Sequence, residues 1–187
     1  MSRDRNPTVA FDTRFGRFVV ELFAENAPVS VANLLDRVDR GLFAGASVYR
    51  IVSLGNQPDT VPARIEVIQF GVPASGAGDT GPLPPIAHET TERTGLRHRD
   101  GTLSMARREP GTAGAGFFIC IGDQPELDFG GRRNPDGQGF AAFGQVVDGM
   151  DVVRRIHAEA DPTTDQMSDP IPIDAVARVD RHPRPAR

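Results

Sequence analysis

Over residues 140–153 the chain reads Phe140-Ala141-Ala142-Phe143-Gly144-Gln145-Val146-Val147-Asp148-Gly149-Met150-Asp151-Val152-Val153. The first eight residues are mostly apolar and predict a strand, which the following aspartate–glycine pair ends. A short helix is predicted after that turn, because Val152, Val153 and Ile156 fall on one side of a helix. This stretch therefore predicts a strand and a helix that are joined by a tight turn.

The remaining elements are mostly short strands. Alternating apolar residues predict strands at 8–12, 15–23, 47–53, 65–71, 101–106, 116–121 and 171–180. One longer helix is predicted after Pro28, since apolar residues recur at helical spacing from Val31 to Val38 and Gly41 suits its end. Many short strands with only two helices, and no regular alternation of strand and helix, indicate a mainly β fold, an antiparallel barrel or sandwich.

The composition excludes several classes of function. The 187 residues carry a net charge of −4, with 39% hydrophobic and 25% charged residues, as in an ordinary globular protein. The basic residues form no cluster, so we expect no nucleic-acid partner. No apolar run approaches the roughly 20 residues of a membrane span, so we expect no membrane segment. The four histidines lack the spacing of a metal site, and we expect neither a metal nor a cofactor.

One domain is expected over residues 7–181, because no shift in composition marks a boundary. We expect the tail at residues 182–187 to be disordered. The N-terminal residues lack the apolar core of a secretory signal, so we expect a cytoplasmic protein, or a periplasmic one if a signal peptide was removed. We also expect a monomer.

Arg50 is the first candidate site residue, and it lies in the run Val48-Tyr49-Arg50-Ile51-Val52. Burying a guanidinium in a strand of β-branched residues costs free energy unless the group has hydrogen-bonding partners or reaches a solvent-exposed surface. Strand alternation turns Arg50 away from Tyr49 and Ile51, so it lies on the outside of the sheet if those two residues fill the core. On this strand alone, a solvated arginine and a functional arginine are equally well supported.

Gln69 and the pair Phe117-Phe118 are further candidates. Gln69 lies on the same strand face as Val67, and its side-chain amide can both donate to and accept from a peptide backbone. Taken alone, however, a glutamine in a strand is most simply interpreted as a solvent-exposed residue. Phe117 and Phe118 point to opposite faces, so one can fill the core while the other lines a surface pocket. Cys120 follows in an apolar run and is expected to be a buried core residue rather than a reactive thiol.

Eight segments in this order resemble the cyclophilins, and in particular the bacterial single-domain cyclophilins. The resemblance runs over nearly the whole chain, and its segments lie at residues 16–23, 27–33, 49–52, 67–69, 101–107, 117–119, 127–128 and 140–153. It implies a closed eight-stranded antiparallel β-barrel capped by two α-helices, with a proline-binding groove on its outer surface. It also implies a peptidyl-prolyl cis–trans isomerase that acts on proline-containing peptides or unfolded proteins in protein folding.

The same resemblance implies roles for individual residues. Arg50 matches the catalytic arginine of the family, and Gln69 matches its backbone-binding glutamine. The residues that match the walls of the proline pocket are Val67, Phe118, Leu127 and Phe140. Ala106 and Arg107 match the strand end whose main chain pairs with the substrate. The loop at residues 54–64 looks longer than is usual in the family.

The chemistry explains why one arginine can suffice. Amide resonance gives the X–Pro bond a rotation barrier of roughly 18–20 kcal/mol. Twisting the bond breaks that resonance and leaves a lone pair on a pyramidal imide nitrogen. A fixed guanidinium can hydrogen-bond to this nitrogen only as the twist develops, so it stabilises the transition state specifically.

Four positions depart from the family pattern. Glu66 stands where an aromatic pocket residue is usual, and Gly116 replaces a glutamine that would hydrogen-bond near Arg50. Arg107 stands where asparagine is common, and Glu126 replaces an aromatic residue that borders the groove and helps to bind cyclosporin. We therefore expect these substitutions to make the pocket more acidic, to favour basic residues beside the proline and to weaken cyclosporin binding.

Two functions stay open on these residues. The first is an active isomerase. The second is a cyclophilin-like module that binds proline peptides or a partner protein with weak or no catalysis, and the substitutions at Glu66, Gly116 and Glu126 motivate it. Because substitutions in a pocket often lower affinity while sparing a transition-state contact, we favour the isomerase.

Overall fold

The structure is a computed structural model, and it describes residues 6–72 and 81–180. Within these ranges the strands are β1 (Thr8–Thr13), β2 (Gly16–Leu22), β3 (Ser47–Val52), β4 (Val67–Gly71), β5 (Thr102–Met105), β6 (Gly116–Cys120), β7 (Ala141–Asp148) and β8 (Gln166–Val179). The helices in the same ranges are α1 (Pro28–Asp39), α2 (Thr91–Thr94) and α3 (Met150–His157). The predicted tail at residues 182–187 lies outside the described residues.

The strands pair antiparallel and close into a barrel in the order β1-β2-β7-β5-β6-β4-β3-β8. The predicted closed antiparallel barrel of eight strands is thereby confirmed. β8 is the longest strand, and it closes the ring by pairing with β1 along one part and with β3 along another. Each strand of the described barrel therefore has a neighbour on both sides, and none presents an open edge.

Aromatic rings fill the inside of the barrel. Phe11 and Phe18 stack with their ring centroids 5.1 Å apart, and Phe70 meets Phe11 edge-on at 5.3 Å. α1 packs on this core through its predicted apolar stripe, which includes Val31 and Leu34. α3 does the same with the valines and the isoleucine that its sequence places on one side. Both predicted helices thus cover the barrel.

Side chains on the outside of β4 and β6 form a second apolar group, which we call the outer cluster. Phe117 points into the barrel whereas Phe118 points outward, as alternation along β6 predicts. The buried members of the outer cluster are Val52, Ile65, Val67, Phe118, Cys120 and Leu127, and Ala106 and Phe140 pack against them. Cys120 is fully buried there, as predicted, and its burial raises the pKa of the thiol. The outer cluster gives the barrel an apolar surface on which a site can be built.

β3 contains a bulge beside Arg50. Its pairing advances from Val48 to Arg50 while β4 advances by one residue, so Tyr49 is an extra residue in the strand. Val48 and Ile51 face the core, whereas Tyr49 and Arg50 both face outward and contact the same glutamine side chain. The prediction that Arg50 faces away from Tyr49 is therefore wrong, because the bulge resets the alternation.

α1 begins at Pro28 as predicted, but its N-terminus is capped by a residue from far along the chain. Ala27, at the N-cap position, makes no side-chain hydrogen bond. Instead the buried carboxylate of Glu89 accepts hydrogen bonds from the main-chain N–H of Val29 at 3.0 Å and of Ser30 at 2.8 Å. A carboxylate at this end of a helix satisfies free N–H groups and complements the helix dipole.

The sequence predicts two helices, and the structure adds a third, α2. Its four residues are too few to show a helical period, so no pattern could predict it. Thr90 caps α2 by accepting a hydrogen bond from the main-chain N–H of Arg93. Among residues 6–72 and 81–180, no helix combines the length and the apolar character needed to cross a membrane.

Candidate active site

A cavity of about 230 Å³ opens over the outer cluster, and we call it the outer cavity. It is lined by all eight residues that the sequence assigns to catalysis and peptide binding, which are Arg50, Val67, Gln69, Ala106, Arg107, Phe118, Leu127 and Phe140. The lining residues that the sequence did not suggest are Ile65, Arg133 and Asn134. The fold thus brings the predicted residues together, and their individual roles stay predictions.

The floor of the outer cavity is apolar and closely packed. Val67, Phe118 and Leu127 are buried in the outer cluster, and Phe140 meets Phe118 edge-on with the ring centroids 5.3 Å apart. Gln69 stands beside this floor because it pairs directly with Phe118 across β4 and β6. An apolar cup beside a side-chain amide suits a proline ring and the peptide groups that flank it.

A buried polar group supports the floor from behind. The ring of His98 stacks on Phe118 with the centroids 6.0 Å apart. Its Nδ1 lies 2.8 Å from Oδ1 of Asp128, and its Nε2 lies 2.9 Å from Oγ of Ser104. Burial lowers the pKa of His98, although Asp128 opposes the shift. Since Ser104 is completely buried, it cannot meet a substrate, and the group acts as support for Phe118.

Arg50 is held at the wall of the outer cavity by two side chains. Its Nε and Nη2 donate to Oδ2 of Asp165 at 2.9 Å and 2.7 Å, and its Nη1 donates to Oε1 of Gln69 at 3.0 Å. Asp165 is itself positioned by its main chain, whose carbonyl accepts a hydrogen bond from the N–H of Ile51 at 2.9 Å. Asp165 was not predicted from the sequence, and the one available signal was the need of Arg50 for a partner.

The guanidinium of Arg50 keeps part of its hydrogen-bonding capacity. It carries five N–H groups, and Asp165 and Gln69 take three of them. One N–H on each terminal nitrogen therefore has no acceptor among residues 6–72 and 81–180. A cation that is fixed in place but still has N–H groups to donate suits the stabilisation of a developing lone pair.

Tyr49 takes up the space that the glycine at position 116 leaves. A Cβ atom on Gly116 would lie 3.1 Å from Oη of Tyr49 and 3.2 Å from Cβ of Ala106. Oη of Tyr49 accepts a hydrogen bond from Nε2 of Gln69 at 2.9 Å, and burial raises the pKa of Tyr49. The sequence predicts that Gly116 removes a side-chain hydrogen bond near Arg50, and in the structure Tyr49 supplies one.

Arg107 has a buried side chain that ties a loop to the end of β5. It donates to both carboxylate oxygens of Asp136, at 2.8 Å and 3.0 Å, and to the carbonyl of Gly139 at 2.9 Å. Its guanidinium also lies 5.1 Å from the ring centroid of Phe140. The side chain is only 1% exposed, so Arg107 holds one wall of the outer cavity in place.

The two glutamates that were expected to make the pocket acidic do not line it. Glu126 binds Arg132 with an Oε1–Nη2 distance of 2.7 Å, and this hydrogen bond lowers the pKa of Glu126. Glu66 lies just before β4 and is absent from the lining. The described lining instead contains three arginines and no carboxylate. The described lining therefore lacks the acidic character that the sequence suggests, because neither glutamate is among its residues.

The chain is similar to known proteins over most of its length. The family model described as cyclophilin type peptidyl-prolyl cis-trans isomerase/CLD matches residues 8–178. Peptidyl-prolyl cis-trans isomerase B of Escherichia coli (strain K12) is 34% identical over 153 residues, which cover 81% of this chain and 85% of that protein. Peptidyl-prolyl cis-trans isomerase cyp18 of Streptomyces antibioticus is 35% identical over 150 residues, covering 80% and 82%.

A solved structure agrees with the fold. The crystal structure of a Cryptosporidium parvum cyclophilin type peptidyl-prolyl cis-trans isomerase matches with a TM-score of 0.70 at 21% identity, covering 95% of this chain and 99% of that one. The same Cryptosporidium protein in the presence of the dipeptide Ala-Pro matches with a TM-score of 0.71. By its family match and its curated relatives, this chain belongs to the cyclophilin-type peptidyl-prolyl cis-trans isomerases.

Proposed function

We propose that this isomerase rotates X–Pro bonds in the outer cavity and that Arg50 is its one catalytic residue. The observation that carries the proposal is a guanidinium fixed by Asp165 and Gln69 at the wall of an apolar cup, with N–H groups still available. In such a position, a hydrogen bond to the imide nitrogen forms only as the bond twists.

The proline ring rests on the floor made by Val67, Phe118 and Leu127 while the preceding part of the peptide rotates. Gln69 binds the peptide backbone, since its amide has one N–H and one acceptor site beyond its bonds to Arg50 and Tyr49. As resonance is lost, a terminal N–H of Arg50 donates to the imide nitrogen. No covalent bond forms or breaks in this mechanism.

Comparing the wild type with Arg50→Ala tests this role. Isomerisation of a proline-containing tetrapeptide is followed by exchange NMR, with no auxiliary protease. We expect kcat/KM to fall by about 10²–10³, the usual loss when a single transition-state donor is removed. Arg17→Ala is the matched control, because Arg17 also binds an aspartate through Nε and Nη2 but lies away from the outer cavity. Equal rates for the wild type and Arg50→Ala would refute the role of Arg50.

The same samples distinguish a binding module from an enzyme. Peptide binding by titration, together with negligible isomerisation by the wild type, would favour the module.

Weak cyclosporin binding is also proposed. Glu126 supports it, because this residue binds Arg132 at the position where the family has an aromatic residue. A submicromolar dissociation constant for cyclosporin would contradict that expectation.

The proposed substrates are proline-containing peptides and proline-containing segments of unfolded proteins. The proposed folding unit is a single domain over residues 7–181. The closed barrel supports a monomer, since the described sheet has no open edge for a second copy to extend. Analytical ultracentrifugation tests the monomer, and limited proteolysis with mass spectrometry tests the domain bounds. We further propose a cytoplasmic location, which cell fractionation tests against a periplasmic one.

A further inference from the structure

Arg133 lines the outer cavity, and no described acidic side chain forms an ion pair with it. Its half-buried side chain donates from Nη1 to Oε1 of Gln57 at 2.9 Å and to the carbonyl of Ala63 at 2.8 Å, and both acceptors are neutral. Burial lowers the pKa of Arg133, the charge of Arg50 lowers it further, and Asp165 opposes the shift. Among the ion pairs of residues 6–72 and 81–180, none includes Arg133.

The free edge of this guanidinium has the shape of a carboxylate site. Nη1 uses its two N–H groups on Gln57 and Ala63, so the three remaining N–H groups belong to Nε and Nη2. No described residue accepts from them. Two parallel N–H groups on one planar edge bind a carboxylate through both of its oxygens.

The other two arginines of the lining already have acids of their own. Arg50 binds Asp165 at 2.7 Å, and Arg107 binds Asp136 at 2.8 Å. Arg133 therefore supplies the uncompensated positive charge of the described lining. A partly desolvated charge without a counter-ion favours a ligand that brings one.

Arg133 is held in place before any ligand arrives. Its acceptor Gln57 also accepts from the main-chain N–H of Ile65 at 3.1 Å and donates to the carbonyls of Ser53 at 2.7 Å and Ile65 at 2.9 Å. The main-chain N–H of Arg133 donates to the carbonyl of Glu126 at 3.1 Å. A cation that is already oriented loses little conformational freedom when it binds an anion.

We propose that Arg133 is a specificity residue that binds the carboxylate of an acidic side chain next to the proline of the substrate. This inference rests on the proposed function of the outer cavity and names the class of peptide that the cavity prefers. It reverses the preference for basic neighbours that the glutamates in the sequence suggest.

The test uses peptides that are acetylated and amidated at their ends and that differ in one residue. Glutamate is compared with glutamine immediately before the proline and, in a second pair, immediately after it. For at least one position we expect the wild type to prefer glutamate about two- to fivefold in kcat/KM, the range of a partly solvated charge pair. The preference is expected to shrink as ionic strength rises from about 0.05 M to about 0.5 M, because salt screens such pairs.

Three variants connect the preference to Arg133. Arg133→Gln is expected to abolish the preference, so that this variant shows the same kcat/KM for the glutamate and the glutamine peptide of each pair. Arg133→Lys keeps the charge without the planar edge and is expected to retain part of the preference. Arg108→Gln removes one charge from an exposed residue outside the lining, and it is expected to keep the full preference. Thermal unfolding of each variant shows whether the fold is intact.

Equal kcat/KM for the glutamate and glutamine peptides with the wild type, or an undiminished preference in Arg133→Gln, would overturn the proposal. A further glutamine peptide with a free C-terminal carboxylate tests the assignment to a side chain, which would be overturned if the wild type preferred that peptide to its amidated form but did not prefer the amidated glutamate peptide. Failure of the proposed function is distinguishable, because it would appear as absent isomerisation of the glutamine peptides. Titration of both peptides into the wild type and Arg133→Gln would then still measure the charge preference of the outer cavity.

Discussion

The hydroxyl oxygen of Tyr49 lies 2.9 Å from Nε2 of Gln69 and accepts a hydrogen bond from it. It does so from a strand bulge, in space that any side chain at position 116 would enter. Gln69 in turn accepts from Nη1 of Arg50, so the three side chains form one hydrogen-bonded series along the wall of the outer cavity. The series extends through Arg50 to Asp165.

Tyr49→Phe removes the acceptor for Nε2 of Gln69. We expect kcat/KM for a proline peptide to fall about three- to tenfold, because a net hydrogen bond is worth about 0.5–1.5 kcal/mol. Exchange NMR measures the rate, and urea unfolding measures the accompanying change in stability. A variant with wild-type kcat/KM would show that Tyr49 does not position Gln69.

Gly116→Gln introduces the glutamine that the family usually has at this position. We expect it to lower kcat/KM rather than raise it, since a Cβ atom would press on Oη of Tyr49 at 3.1 Å. Overpacking of this kind also costs about 1–3 kcal/mol of stability, which urea unfolding would detect. Combining the substitution with Tyr49→Ala frees the space and is expected to recover part of the activity.

Asp165→Ala leaves Arg50 without the carboxylate that orients its guanidinium. We expect kcat to fall about ten- to a hundredfold with a smaller change in KM, because a small displacement of a catalytic group strongly lowers the rate of the chemical step. Asp165→Asn keeps an oxygen acceptor and is expected to lose less. Steady-state kinetics of both variants provide the test, and equal kcat for the wild type and the alanine variant would remove Asp165 from the positioning network.

Arg107→Asn introduces the residue that is common in the family and cuts the link between β5 and Asp136. The wall that includes Phe140 then loses its support. We expect KM to rise about fivefold while kcat stays within about twofold, since ground-state and transition-state binding are weakened together. A lower kcat at unchanged KM would contradict this role for Arg107.

The buried His98 predicts a loss of stability in mild acid. Burial lowers its pKa in the folded state, whereas the unfolded chain binds a proton near the ordinary pKa of about 6.5. Below that pH the unfolded state binds more protons, so the free energy of unfolding falls as the pH falls, by up to about 1.4 kcal/mol per pH unit.

Urea unfolding at a series of pH values between about 8 and about 5 measures this effect. His98→Gln is expected to flatten the profile, although it also weakens the support of Phe118. His88, whose pKa burial also lowers, contributes in the same direction, so His88→Gln is the comparison variant. A profile for His98→Gln that is as steep as that of the wild type would show that His98 is not the responsible group.

Much of the barrel could be predicted because its signals are local. Alternation put Phe117 and Phe118 on opposite faces of β6, and Pro28 marked the start of α1. Strand positions also put Val67 and Gln69 on one face, which is why both residues reach the outer cavity. These features depend on neighbours within a few residues, which periodicity and turn signals describe.

The parts that sequence reasoning missed depend on contacts between distant residues. Asp165 is 115 positions from Arg50, and Glu89 is 59 positions from the Ser30 that it caps. Neither carboxylate lies in a sequence pattern that identifies the residue it binds. Glu126 was misjudged for the same reason, because its charge is taken up by Arg132, and no spacing rule reveals which way a surface glutamate turns.

The bulge in β3 separates the two surfaces of the barrel wall. Val48 and Ile51 face the core on either side of the bulge, because the extra residue adds its side chain to the outer face. The side chain at position 49 can therefore change on the face that borders the outer cavity while Val48 and Ile51 continue to pack in the interior. Sequence variation at position 49 is expected to retune the isomerase with a smaller loss of stability than substitution of the core residues Val48 and Ile51.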